Sequence, residues 1–352
     1  MTLNRRKTGL TLTGLLVFLL FMINISSGSV KIPLRDIAWI MLQRGDTAGS
    51  AVIGEDKSIP TEEDKQIRVR NIVLQIRFPR ALAAAFGGAA LALCGLLLQT
   101  FFRNPLAGPD VLGIASGAGL GAAVTILAVP VLSTGGVSVL AASITGSLAV
   151  TAILISLVKK YESMTITLLA GLLAGYFLHS LTGILIRFSS NQAVRSYINW
   201  SAGSFRNIAE KDLNIFLPLL AASFIAAFLL SKQCDLYLLG EDYALSMGSD
   251  TKYFRYSVIL LTSVMTGAVT ALCGPVSFIG IAAPHFCRMA LKTDRHSTLI
   301  PGVIFTGAAL ALAADTISSL PGSGMMLPLN SVTAIIGTPV VIKVLLKGYY
   351  ER

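Results

Sequence analysis

The feature that most constrains this chain is the length of its charge-free runs. Between Ala81 and Val158 only Arg103 and Asp110 are charged, whereas residues 31–80 carry 16 charges. Charged residues make up 13% of the sequence and hydrophobic residues 54%. A soluble domain carries roughly 25% charged residues, so this chain has too few charges to cover a water-facing surface. So apolar a chain could not stay solvated as a disordered one either. Long dry stretches broken by short wet ones describe an all-α polytopic membrane protein. A length of 352 residues would allow two or three domains, but the charge distribution argues for one transmembrane domain, 1–352.

A helix crossing roughly 30 Å of hydrocarbon needs about 20 apolar residues. Ten candidate spans follow: 9–25, 80–102, 111–131, 136–158, 164–187, 214–231, 255–273, 276–290, 299–317 and 330–347. The uncharged run from Tyr256 to Cys287 is too long for one crossing and breaks at Gly274-Pro275, where proline removes a helix donor. Pro321-Gly322-Ser323-Gly324 separates the last two spans. Arg5-Arg6-Lys7 before the first apolar run could open a signal peptide, but with many later spans an uncleaved first helix is the expectation.

With a basic tail inside and an even number of spans, both termini are expected in the cytoplasm. Residues 26–79 then form an external loop with a charged insertion near 43–70, and residues 232–254 form a cytoplasmic loop. The inside segments hold 15 of the 28 Lys and Arg; the other 13 sit in 26–80 and 187–213. A long loop translocates regardless of charge, but the basic 187–213 loop is an exception that calls for a function. The net charge of +10 belongs to this loop pattern; no soluble basic face points to nucleic acid.

Glycine and alanine recur every four residues at Gly113, Gly117 and Gly121, and at Ala84, Gly88 and Ala92. Such faces let helix backbones approach closely in lipid. The hexamer Gly-Ala-Ala-Leu-Ala-Leu occurs at Gly88–Leu93 and again at Gly307–Leu312. In spans this rich in Gly, Ala and Leu it reads as coincidence rather than as a repeat.

Catalytic signatures are missing. The sequence contains no Gly-x-x-x-x-Gly-Lys-Ser/Thr, so this chain is not expected to hydrolyse ATP. His179, His285 and His296 are isolated and read as hydrogen-bonded helix residues. Cys94, Cys234, Cys273 and Cys287 match no zinc or disulfide spacing and read as small hydrophobes. Asp315 is the one carboxylate placed clearly within a span; a structural hydrogen bond is favoured over an ion relay. No catalytic or metal-ligating residue is expected. What remains is a transport body without its own energy source.

Four segments then matter together. They are Arg77-Phe78-Pro79-Arg80 leading into Gly87-Gly88; Gln99 to Pro109 with Asn104-Pro105-Leu106-Ala107, then Leu112-Gly113; Gly240-Glu241-Asp242-Tyr243-Ala244 through Met247-Gly248; and Gly274-Pro275 through Phe278-Ile279-Gly280, Pro284-His285, Arg288, Asp315 and Gly337-Thr338-Pro339. This pattern resembles the permease family of ABC importers for ferric siderophores, haem and cobalamin, over roughly residues 77–347. The resemblance implies ten helices in each of two permease copies, expected as a homodimer in a bacterial inner membrane. It implies partner ATPases carrying the ATP and Mg, an external substrate-binding protein, and no cofactor on this chain.

The resemblance also implies roles. Arg77 and Arg80 resemble docking points for acidic residues of the binding protein, with membrane-surface snorkelling as the plain alternative. The family often has a basic residue shortly after the Asp of the ninth span; here Ser318-Ser319 stand there, so Arg187, Arg195 or Arg206 could substitute. Leu239, Gly240, Glu241, Asp242, Ala244, Met247 and Gly248 resemble coupling helices that seat in the ATPase, with Gly248 ending the first of them. A family arginine often follows the alanine, whereas Leu245 stands here. Asn104 and Leu106, with Met164 and Thr165, resemble a cytoplasmic gate; a helix-terminating turn is the alternative. Pro284, His285 and Arg288 read as structural. The rival class is an ion-gradient-driven transporter, which would need several intramembrane acids.

Overall fold

The computed structural model describes residues 2–28, 32, 33, 35, 62–128, 136–161, 164–208, 210–319 and 327–350. Most of the charged 43–70 insertion lies outside the described residues. Among those described, the fold is helical, with no strand.

Helix α1 spans Thr2–Ser26. Helix α2, Glu62–Asn71, passes through a π turn, Ile72–Arg77, into α3, Phe78–Phe102. The second apolar helix is therefore continuous with a helix that begins well before residue 80, within the 26–79 segment read as a loop. The charges of 62–70 disguised the first turns of a helix. Helix α4, Ile114–Ala123, ends in a second π turn, Val124–Ala128. Then come α5 (Gly136–Tyr161), α6 (Met164–Phe188), α7 (Asn191–Ser201) and α8 (Glu210–Leu229). Two short helices follow, α9 (Ser231–Leu239) and α10 (Glu241–Ser246). The chain closes with α11 (Thr251–Cys273), α12 (Ile279–Leu291), α13 (His296–Ser318) and α14 (Leu329–Tyr350).

Seven of these helices are long and apolar enough to cross a bilayer, and three shorter apolar ones lie at Ile114–Ala128, Ile279–Leu291 and Leu329–Lys343. They coincide with the ten spans read from hydropathy. The three short ones are explained by what precedes them. Residues 103–113 fold back beside α12, with Gly108 facing Ile281 and Pro109 facing Gly280. Helix α4 therefore starts part-way into the bundle. Likewise α12 starts opposite Leu91 and Gly95, in the middle of α3.

Helix α3 is the centre: 83% of its apolar window is buried, against 17% for α6. Its small-residue face meets α13, where an added Cβ at Gly88 would overlap Gly307 and Ala311, and one at Gly307 would overlap Ala92. The two copies of the hexamer thus face each other across one antiparallel seam. Gly117 and Gly121 on α4 meet Gly146 and Ala142 on α5 in the same way. In lipid no hydrophobic effect draws helices together, so this intimacy of backbones is the main source of cohesion. All four cysteines are buried and free.

A Cβ at Gly95 would overlap the carbonyl of Gly280 on α12. Gly95→Ala is expected to cost about 1–3 kcal/mol through overpacking. Thermal unfolding of the detergent-purified protein should show a lowered midpoint, while Gly14→Ala, which meets nothing within 4 Å, should leave it in place.

Candidate functional site

At one end of the bundle three helices are tied by a single carboxylate. Asp315, near the end of α13, accepts from Arg80 of α3 at 2.8 Å and from Asn24 of α1 at 2.8 Å. Arg80 also donates to the Asp315 carbonyl at 3.0 Å and to the Ser319 hydroxyl. Arg77 donates to the carbonyls of Ile25 and Ser26 at 2.8 and 3.0 Å, closing the end of α1 onto α3. The π turn at Ile72–Arg77 brings both arginines inward from the same helix. Each is only 6% exposed. Both guanidiniums, expected as docking points, are directed inward and bonded within the chain. Asp315 is structural, as its isolation suggested, and its partner is an arginine.

Arg206, on the loop before α8, donates to the same Ser319 hydroxyl at 3.4 Å. Burial and then the neighbouring Arg80 charge pull its pKa below the ordinary arginine value. Arg206 thus occupies the place beside Ser319 where a basic residue was missing. Arg195 on α7 and Arg187 at the end of α6 are exposed at this end. Helix α7 is held by Ser190, whose hydroxyl caps it by accepting from the Ala193 amide, and by Trp200, which donates to the Ala271 carbonyl.

The opposite end carries the Asn104–Leu106 turn and the two short helices. Arg103 ends α3 in the left-handed region, φ 45°. Asn104 then closes an Asx turn, accepting from the Leu106 amide at 2.9 Å. Leu106 is half-buried. The turn is fastened to α12: the His285 ring bonds the Pro105 carbonyl at 3.0 Å, and Arg288 donates to Gln99 at 2.8 Å. His285 and Arg288 are therefore structural, and what they brace is this turn. Met164 and Thr165 begin α6, and their side chains lie outside the described ones.

Gly240 ends α9 with φ 135° and opens α10, while Gly248, φ 76°, follows α10. The expectation that Gly248 ends the first short helix is corrected: Gly240 does so, and Gly248 stops the second. A side chain at either position would be strained. Glu241 pairs with Arg255 of α11, which anchors α10. Ala244 is buried beneath it, whereas Leu239, Tyr243, Leu245 and Met247 are between 46% and 68% exposed. Asp242 stands in the first turn of α10. Together they make an apolar rim on an otherwise polar loop.

Sequence reasoning missed Asn24, Thr100 and Asp235. Asn24 could have been noticed as the one amide in an apolar first span. Thr100 and Asp235 become meaningful only through His296, whose ring bonds Thr100 at 2.8 Å and Asp235 at 2.7 Å. Asp110 lies in the re-entrant segment and bonds the Phe278 backbone. Among the described residues no group of three or more His, Cys, Asp or Glu is placed to hold a metal.

The model of the FecCD transport family matches residues 15–347. The chain belongs to that family. It is therefore a multi-pass membrane permease. Among its FecCD relatives, the vitamin B12 import system permease protein BtuC of Klebsiella pneumoniae is 35% identical over 293 residues, covering 82% of this chain and 87% of that protein. The protein of the same name from Salmonella newport is 34% identical over 279 residues, covering 78% and 84%. Of solved structures, an inward-facing transporter provisionally assigned to the metal-chelate ABC type superposes with a TM-score of 0.77. It covers 97% of this chain and 99% of that one, at 24% identity. PsaBC from Streptococcus pneumoniae, in complex with Fab, superposes at 0.52 and 16% identity, covering 75% and 88%. These two likenesses concern the fold.

Removing Asp315 would leave Arg80 buried without a counter-charge. Asp315→Ala is expected to destabilise the protein by about 3–5 kcal/mol, the usual cost of breaking a buried pair from one side. Thermal unfolding should show Arg80→Met with Asp315→Leu to be less damaged than the single Asp315 variant.

Proposed function

We propose that this chain is the translocation subunit of a binding-protein-dependent ABC importer that carries a bulky metal chelate across a bacterial inner membrane. The candidate cargoes are cobalamin, a ferric siderophore and haem; the B12 permease relatives favour cobalamin or a chelate of similar bulk. Both termini, the Asn104–Leu106 turn and α9–α10 face the cytoplasm in this reading. The energy comes from ATP and Mg on partner ATPases, and a second permease copy completes the pathway.

The observation that carries the reading is the exposed rim of Leu239, Tyr243, Leu245 and Met247 on two short helices. It lies at the bundle end that also holds the 103–106 turn, in a chain without a phosphate-binding loop. Such a rim suits the groove of an ATPase, whose closure would push on α9 and α10. At the other end, exposed Arg187 and Arg195 with half-buried Arg206 offer guanidiniums to acidic residues of a binding protein. This role would account for the basic external loop. Arg77 and Arg80 would act there by holding the platform together, with Arg77 adding its charge to the positive field.

The test is uptake into proteoliposomes holding the chain with its ATPase. Cyanocobalamin, a ferric siderophore and haem are each offered with a candidate binding protein, with and without trapped ATP. Accumulation of one cargo only with ATP is expected. Met247→Asp, which sets a charge against an apolar groove, should lower that uptake by about tenfold, equivalent to 1.4 kcal/mol. Uptake driven by an ion gradient alone would overturn the reading.

A further inference from the structure

The turn at 103–106 is held from two sides by helices with different duties. On one side it is fixed to α12 through His285 and, one turn earlier, through Gln99 and Arg288. On the other side the last turn of α3 is fixed to α9. Two separate clamps do this.

The first clamp is buried. Asp235 of α9 accepts from the His296 amide at 2.8 Å and meets the His296 ring at 2.7 Å. The other ring nitrogen meets Thr100 of α3 at 2.8 Å. His296 is fully buried and Thr100 is 1% exposed. The second clamp is Arg103. Its guanidinium donates to the Tyr237 carbonyl at 2.9 Å and lies 5.0 Å from the centre of the Tyr237 ring. That ring is itself packed between Phe101 and Phe254. Arg103 grips α9 directly, and the buried clamp reaches α9 through His296, the first residue of α13; α9 leads directly into α10 and the exposed rim.

Between the two anchored sides stands one residue in an unusual conformation. Arg103 has φ 45°, a left-handed position that a side chain normally avoids. Such a conformation persists where the surroundings hold it in place. Movement of α9 against α12 would load the short backbone segment between these anchors, where Arg103 stands immediately before Asn104 and Leu106.

We propose that Thr100 and Arg103 of α3, gripped by Asp235, His296 and Tyr237, are the positioning residues that convert movement of α9 into opening and closing of the Asn104–Leu106 turn. This rests on the importer reading above and on the Asn104–Leu106 turn being its cytoplasmic gate. The chemistry is non-covalent: a hydrogen-bonded lever with a left-handed hinge.

The experiment uses the full complex with its ATPase in nanodiscs. Leu106→Cys is labelled by a membrane-impermeant maleimide with and without ATP, against native cysteines that are all buried. Cys234, the one on α9, has its thiol pushed up to about 12 by burial and then by the Asp235 charge, so it adds little background. ATP hydrolysis is measured in the same samples.

In the parent an ATP-dependent change of roughly tenfold in labelling rate is expected, within the usual range of coupling between sites. Arg103→Gly keeps a residue suited to the left-handed hinge and removes the guanidinium. It should shrink the labelling change to under about twofold while hydrolysis continues, and Arg103→Lys should recover part of the change. Asp235→Ala acts on the other clamp and should shrink the change in the same way, whether or not the Arg103→Gly protein assembles.

A full labelling change in both Arg103→Gly and Asp235→Ala would overturn the lever. Loss of hydrolysis in step with the labelling change would also overturn it, because the contact would then belong to the ATPase seat. A parent that shows hydrolysis but no ATP-dependent labelling change would overturn the importer reading, and the lever with it.

Discussion

Where α3 crosses α13, a glycine on each helix lies against the carbonyl of the other, and a Cβ on either would collide with its neighbour. The rest of the bundle is arranged around this contact. With no water to squeeze out, helices in lipid cohere by dispersion over closely fitted surfaces, and by polar pairs where the fit allows. Once α3 is set against α13 and α12, Arg80 reaches Asp315 at one end and Thr100 reaches His296 at the other. The two functional ends are thus held at a fixed separation by one buried helix.

Outward from that centre the structure loosens in a graded way. Helix α6 is largely exposed within one chain, as are stretches of α8 and α14. Lipid or a second copy of the chain can cover such faces. Polar bonds tie the helix ends, as at Arg80–Asp315, and also the interior, where Ser147 and Thr151 of α5 bond Ser263 of α11.

Much of this was legible in the sequence, for an identifiable reason. Ten apolar stretches have to be ten crossings because backbone groups in lipid must be satisfied within each segment. Gly274-Pro275 was readable as a break because a glycine able to take a positive φ stands before a residue without an amide donor. What escaped reading depended on partners distant along the chain. Arg80 looked like a surface charge because Asp315 lies 235 residues away. The hexamer repeat looked like coincidence because sequence cannot say that its two copies touch. Residues 62–77 looked like loop because the charges of 62–70 hide a helix that runs on into the apolar stretch. Gly240 and Gly248 were both visible as helix stops; only the backbone tells which helix each one stops.

The order of synthesis gives the Arg80–Asp315 pair a further meaning. Arg80 belongs to the second span and Asp315 to the ninth, so the ribosome must add 235 more residues before the pair can close. At about 5–20 residues per second that is an interval of roughly 10–50 s. Through it α3 sits in or beside the membrane with its most expensive charge unmatched and its glycine face uncovered. Asn24 is already present on α1, but it binds Asp315 and not Arg80. The closing of this one ion pair therefore marks the moment when an assortment of inserted helices becomes a single body.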